Sequence, residues 1–85
     1  LVKPQFEATR EESARGAGVI SSPDIHKRVL LEVLGFASGM GFMTRGVIRS
    51  PLRGPAGNQE FLAWLNYLKG EQGQEGLEEK IHALF

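Results

Sequence analysis

Apolar positions recur with helical spacing in one stretch of the chain and form nearly continuous runs in two others. Ile25, Val29, Val33, Phe36, Ala37 and Met40 follow a helical period, and Leu30 and Leu34 widen the stripe. A face this broad suits packing on a sheet rather than on one partner helix. Ser22-Pro23-Asp24 supplies the start: a capping hydroxyl, a proline for the first helical position and an acid at the positive end of the dipole. Gly39 and Gly41 offer the exit. Asp24 and Arg28 are spaced to pair on the exposed side. His26 is expected at the surface of the first turn, because no second histidine or carboxylate cluster accompanies it.

Phe42–Arg49 reads as a strand, with Met43, Arg45, Val47 and Arg49 on one face by the two-residue period. Glu60–Leu68 reads as a second strand, apolar on both faces through Trp64, a pattern that suits cover on both sides. Between them, Pro51 and Pro55 hold their predecessors extended, while Gly54 and Gly57 permit tight reversals. So stiff a loop suits accurate placement of Glu60, the carboxylate at the mouth of the second strand; the plainer reading is a solvated Glu at a loop end. Leu1–Lys3 reads as the end of a buried strand that Pro4 stops. Lys3 then stands at the carboxyl edge of a sheet, where α/β folds bind ligands, or is simply a solvated strand end. A chain that opens inside a strand is expected to be a piece whose upstream partners are missing.

Gln5–Ser21 has no sustained period and is expected to be either a lid or a disordered segment. Its Gly16-Ala17-Gly18 resembles a phosphate-cradling turn only weakly. Gly70–Gly76 reads as a flexible linker. Leu77–Phe85 forms a short helix with Leu77, Ile81 and Leu84 on one face, too short to hold without docking. The expected fold class is α/β. The Leu1–Lys3 and Phe42 strands run parallel through a right-handed crossover, and the Phe42 and Glu60 strands form an antiparallel pair. That is the closing portion of a sheet, incomplete on its own.

Composition narrows this little. Eighty-five residues make one small domain or part of a larger one. Cysteine is absent, so neither disulfides nor thiolate metal sites contribute. Formal net charge is zero, yet most Lys and Arg precede Ala56, while Glu71, Glu75, Glu78 and Glu79 crowd the tail. No apolar run approaches the roughly 18 residues of a membrane span. Arg45, Arg49 and Arg53 together suggest a phosphate track, although Arg45 reads more simply as a solvated edge residue.

Two separated motifs then carry a resemblance. Val2-Lys3-Pro4-Gln5-Phe6-Glu7-Ala8 and Gly54-Pro55-Ala56-Gly57-Asn58-Gln59-Glu60-Phe61 resemble segments of the TlyA, or hemolysin A-type, proteins with an FtsJ-like methyltransferase domain. Gly16–Gly18, Ser22–Asp24 and Ser50-Pro51 match in the same order, from Leu1 to about Leu65. The glycine turn departs from the family form, having Arg15 before Gly16-Ala17-Gly18 where a lysine between glycines is usual. The resemblance implies residues 1–69 as the carboxyl-terminal half of that domain, with 70–85 a linker and terminal helix. It implies the terminal portion of a Rossmann-like sheet, with its seventh strand antiparallel to the rest. It also implies S-adenosylmethionine as methyl donor, a ribosomal RNA ribose 2′-hydroxyl as acceptor, and a cytoplasmic protein. Of the family's lysine–aspartate–lysine–glutamate set, the second lysine matches Lys3 and the glutamate matches Glu60. The other two, and the glycine-rich donor-binding element, would lie upstream, so this chain alone is expected to be inactive.

A ribose hydroxyl needs its proton held or removed before it attacks, and a lysine oriented by a carboxylate can serve. A strong ion pair would keep that lysine protonated, so Lys3 acts either as base or as an orienting cation. Arg49 and Arg53 are the expected RNA contacts, and no metal site is expected. Three other readings stand beside this one. They are a non-catalytic RNA-binding module built on the arginines, a membrane lysin, and an assembly piece that forms homo-oligomers through an open sheet edge and Leu77–Phe85.

Overall fold

In a computed structural model the structure describes residues 1–67 and 76–85, and these hold seven elements. They are α1 (Pro4–Glu7), α2 (Arg10–Arg15), α3 (Pro23–Gly39), β1 (Phe42–Arg49), a 3₁₀ turn (Pro55–Gly57), β2 (Phe61–Tyr67) and α4 (Leu77–His82). The expected linker lies outside the described residues as far as Glu75, and so does Leu68. Among the described residues no helix is long and apolar enough to cross a membrane.

The fold is a small α/β arrangement around an antiparallel strand pair. β1 and β2 run from Phe42↔Tyr67 to Arg49↔Phe61. Val2 adds an isolated antiparallel bridge on the other side of Phe61, donating at 2.7 Å and accepting at 2.9 Å. The first residues and β1 therefore run in the same direction but are not neighbours, because β2 lies between them. The like direction is the one expected from sequence, although Val2 forms an isolated bridge rather than a strand. Phe61 is fully buried and joins Val2, Val29, Leu30, Leu34 and Ile81 in one core.

α3 begins as read, with Ser22 capping the Ile25 amide at 3.4 Å. Its apolar stripe is narrower than expected: Val29, Leu30 and Leu34 are buried, while Phe36 and Met40 are exposed. Gly41, at φ 96°, turns the chain out of the helix into β1. α4 docks through Ile81. The opposite sheet face is open, with Ile48, Leu62 and Trp64 exposed. β2 is therefore covered on one side only, contrary to its uniformly apolar sequence.

A bulge between Thr44 and Gly46 breaks the two-residue period of β1. Val47 packs on the core side, and Arg49 stacks over the Phe85 ring at 4.9 Å from its centroid. Arg45 instead meets Asn66, whose amide oxygen, turned toward the guanidinium, accepts from Nε at 2.9 Å. The expected common face of Arg45 and Arg49 is lost for this reason.

Gln5–Ser21 is not disordered: it holds most of α1 and all of α2. α2 starts with a capping box in which Thr9 accepts from the Glu12 amide at 3.1 Å and Glu12 accepts from the Thr9 amide at 2.8 Å. The Glu12 carboxylate also receives both ends of the Arg28 guanidinium, at 2.6 and 2.7 Å. Arg28 thus pairs with Glu12, and with Glu32 at 3.5 Å, rather than with Asp24. Glu12 holds its proton only below its usual 4.5, its pKa being lowered to about 2 chiefly by the Arg28 hydrogen bonds and next by the Thr9 amide. The contact therefore stabilises the fold in full above the ordinary carboxylate pKa. Its contribution is lost as pH falls from there through about 2. A pH series of urea unfolding should show Glu12→Gln less stable than the parent near neutrality. The gap should close as pH approaches about 2.

Candidate functional site

Lys3 and Glu60 are set side by side by the backbone. The bridge pairs Val2 with Phe61, and carrying that register on by one residue puts Lys3 opposite Glu60. Lys3 is extended, at φ −117° and ψ 95°, just before Pro4 turns the chain into α1. Both residues thus stand at one edge of the short sheet. Their side chains do not form an ion pair: Lys3 Nζ lies 5.5 Å from the centroid of the Phe6 ring.

Glu60 is 6 % exposed, unusual for a carboxylate, and Gln5 explains how it is held. Gln5 Nε2 donates to Glu60 Oε2 at 2.7 Å. Gln5 Oε1 is buried and has no partner among the described residues. Gly54 closes the other side. A Cβ there would lie far inside van der Waals contact with Glu60 Oε2, so the carboxylate rests where only glycine leaves room. The sequence marked Gly54 as a hinge for a turn; its φ of −79° shows that its use is close approach instead.

Asn58 fixes the loop that presents Glu60. Buried to 2 % exposure, its Oδ1 accepts from the Ile20 amide at 2.8 Å. Its Nδ2 donates to the Gly18 and Pro55 carbonyls, each at 3.0 Å. Gly54 N–H donates to the Asn58 carbonyl at 2.8 Å, and Ser50 N–H to the Glu60 carbonyl at 2.8 Å. The loop is therefore tied to the segment after α2. In that segment Ala17 and Gly18 take positive φ to end α2, and the Gly18 amide reaches back to Ser13. The glycine turn is a helix stop rather than a phosphate cradle.

His26 was expected at the surface and is buried. Its Nε2 donates to the Ile20 carbonyl at 2.7 Å, and its ring meets Phe61 edge-on at 5.5 Å. A carbonyl can only accept, which places the proton on Nε2. Arg49 and Arg53, the expected RNA contacts, line one cleft together with His26; Arg45 lies away from it.

The same segments align with known proteins. The chain is 39 % identical over 83 residues to "16S/23S rRNA (cytidine-2'-O)-methyltransferase TlyA" of Mycobacterium tuberculosis (strain ATCC 25618 / H37Rv), covering 96 % of this chain and 31 % of that protein. It is 42 % identical over 82 residues to "Putative rRNA methyltransferase YqxC" of Bacillus subtilis (strain 168), covering 95 % of this chain and 29 % of that one. The chain belongs to the TlyA and hemolysin A-type family. "Hemolysin A" of Brachyspira hyodysenteriae aligns with 74 % of this chain, over 26 % of its own length, at 35 % identity. Among solved structures, "Putative hemolysin from Streptococcus thermophilus" superposes with a TM-score of 0.78 at 39 % identity, covering 98 % of this chain and 30 % of that one. "The crystal structure of a putative hemolysin from Lactococcus lactis" gives 0.74 at 38 %, covering 96 % of this chain and 39 % of that one. No protein-family profile matches the chain. The chain spans about three-tenths of the length of the curated relatives it matches.

Proposed function

We propose that this chain is the carboxyl-terminal part of an S-adenosylmethionine-dependent methyltransferase acting on the ribose 2′-hydroxyl of ribosomal RNA, with Lys3 and Glu60 as half of its catalytic set. The observation that carries the reading is the register that sets Lys3 opposite Glu60, in a chain 39 % identical to TlyA. On this reading residues 1–69 close a Rossmann-like sheet. The order of Val2, β2 and β1, with β2 antiparallel between two strands of like direction, is what an inserted last strand requires. Residues 70–85 form the linker and terminal helix, and the parent works in the cytoplasm. The open edge of β1 is the surface on which this piece alone would pair with a second copy.

The bound donor supplies a sulfonium methyl that an oxygen nucleophile can take. Gly16–Gly18 ends a helix instead of leading from a strand into one, so this turn is not the cradle for the donor. What this chain supplies is the acceptor side. Lys3, unpaired with Glu60, is free to swing from the Phe6 face to a ribose hydroxyl and hold or accept its proton. Glu60, fixed by Gln5 and walled by Gly54, stands across the bridge from that lysine as a carboxylate that can orient it.

The test is transfer of labelled methyl from S-adenosylmethionine to ribosomal RNA by the full-length parent. Label should appear on ribose, and this chain by itself should transfer none. No transfer by a folded parent that binds the donor would sink the enzymatic reading.

A further inference from the structure

Beside the amino end of α3 lies a cleft of about 250 Å³ that the Lys3–Glu60 edge does not use. Ser21, His26, Arg49, Arg53, Gln59 and Phe85 line it. We propose that this cleft seats a backbone phosphate of RNA between Arg49 and Arg53, an inference that rests on the reading of the parent as an RNA-modifying enzyme.

Both cations are held and neither is neutralised. Among the described residues no carboxylate lies within 4 Å of either guanidinium. Arg49 stacks over Phe85 at 4.9 Å, which covers one face of its plane and leaves the N–H edge to donate. Arg53 gives one N–H to the Gly57 carbonyl at 3.1 Å and keeps the rest of its fork. Gly57 belongs to the turn that Asn58 pins, so this anchor is rigid. The wall between them is polar. His26 has its Nε2 proton committed to the Ile20 carbonyl, so its ring shapes the cleft without donating to a phosphate. Ser21 adds a hydroxyl, and the first turn of α3 adds partial positive charge, offset in part by Asp24. Planar donor forks facing a small polar recess suit the tetrahedral oxygens of a phosphate. A backbone phosphate is favoured over a free one because the Arg side chains are exposed at the rim, where a continuing strand can pass.

The experiment is titration of the chain with a short single-stranded oligoribonucleotide, with inorganic phosphate in a parallel arm, followed by side-chain and amide NMR. The oligoribonucleotide should shift His26 and Ser21, and should bind more tightly than inorganic phosphate. Arg49→Gln and Arg53→Gln should each weaken RNA binding about tenfold, the worth of a charge-assisted hydrogen bond, while the amide spectrum stays that of the folded chain. Each should also lower the salt dependence of binding by up to about one unit of slope. Arg49→Lys should keep the slope and still lose affinity, since the stacked fork is gone. Equal RNA affinity in both glutamine variants would overturn the proposal. So would shifts confined to other parts of the chain, or inorganic phosphate binding as tightly as RNA. Methyl transfer is not read here. A failed cleft leaves the enzymatic reading standing, and an inactive parent with an RNA-binding cleft removes that reading alone.

Discussion

Replacing Lys3 by alanine in the full-length parent is expected to lower methyl transfer to ribosomal RNA by about two to four orders of magnitude, the range of a positioned proton acceptor. The protein should fold as before. Lys3 is half-buried and its ammonium lies over the exposed Phe6 ring, so among the described residues truncation removes no core contact. Glu60→Gln should act in the same direction. The amide keeps an oxygen for Gln5 Nε2 and fits the space beside Gly54, so this change removes charge with little change in shape. Lys3→Arg separates the two roles open to the lysine. An arginine cannot give up its proton near neutral pH, yet it can orient a hydroxyl. Loss as deep as in the alanine variant assigns Lys3 as base; partial retention assigns it as the orienting cation. Full activity in Lys3→Ala would reduce Lys3 to a strand end.

The second large effect concerns stability. Phe61→Ala is expected to cost about 3–5 kcal/mol, as for other fully buried aromatics. A domain of this size is held by roughly 4–13 kcal/mol in all, so the loss is a large share of the total and unfolds much of the population at the lower end of that range. Phe61 is fully buried, bridges Val2 on one side and β1 on the other, and contacts the rings of His26 at 5.5 Å and Phe85 at 6.2 Å. The thermal midpoint should fall by more than about 12 °C. Phe36→Ala is the control. At 72 % exposure it should change stability by no more than about 0.5 kcal/mol, although the helical period counts Phe36 with the core. Equal losses in the two variants would mean that the core has been misplaced.

These two phenylalanines show where sequence reading holds and where it stops. The start of α3 was legible because Ser22 and Pro23 act on their immediate neighbours. The strand pair was legible from apolar runs around a proline–glycine loop. Burial of Phe61 rather than Phe36 depends on which elements meet, and no local period carries that information. His26 is the same case, since its partners are the Ile20 carbonyl and a ring on β2. Two misses had signals. Thr9 and Glu12 have the spacing of a capping box, which marks α2 despite its lack of apolar period. Gly46 inside a strand marks a bulge, which is what parts Arg45 from Arg49. Of the candidate site, the pairing of Lys3 with Glu60 was legible through the family resemblance. Gln5 as the residue that holds Glu60 was not, because an amide within a recognised motif gives no hint of what it faces.

The Val2–Phe61 bridge has a kinetic meaning. Two hydrogen bonds at 2.7 and 2.9 Å, next to a helix of four residues, are all the backbone pairing that aligns Lys3 with Glu60. Such a contact opens at far lower free energy than the whole domain does. Such local opening would part the two groups while the rest of the core stays packed, and Val2 in that core and the Gln5–Glu60 hydrogen bond oppose it.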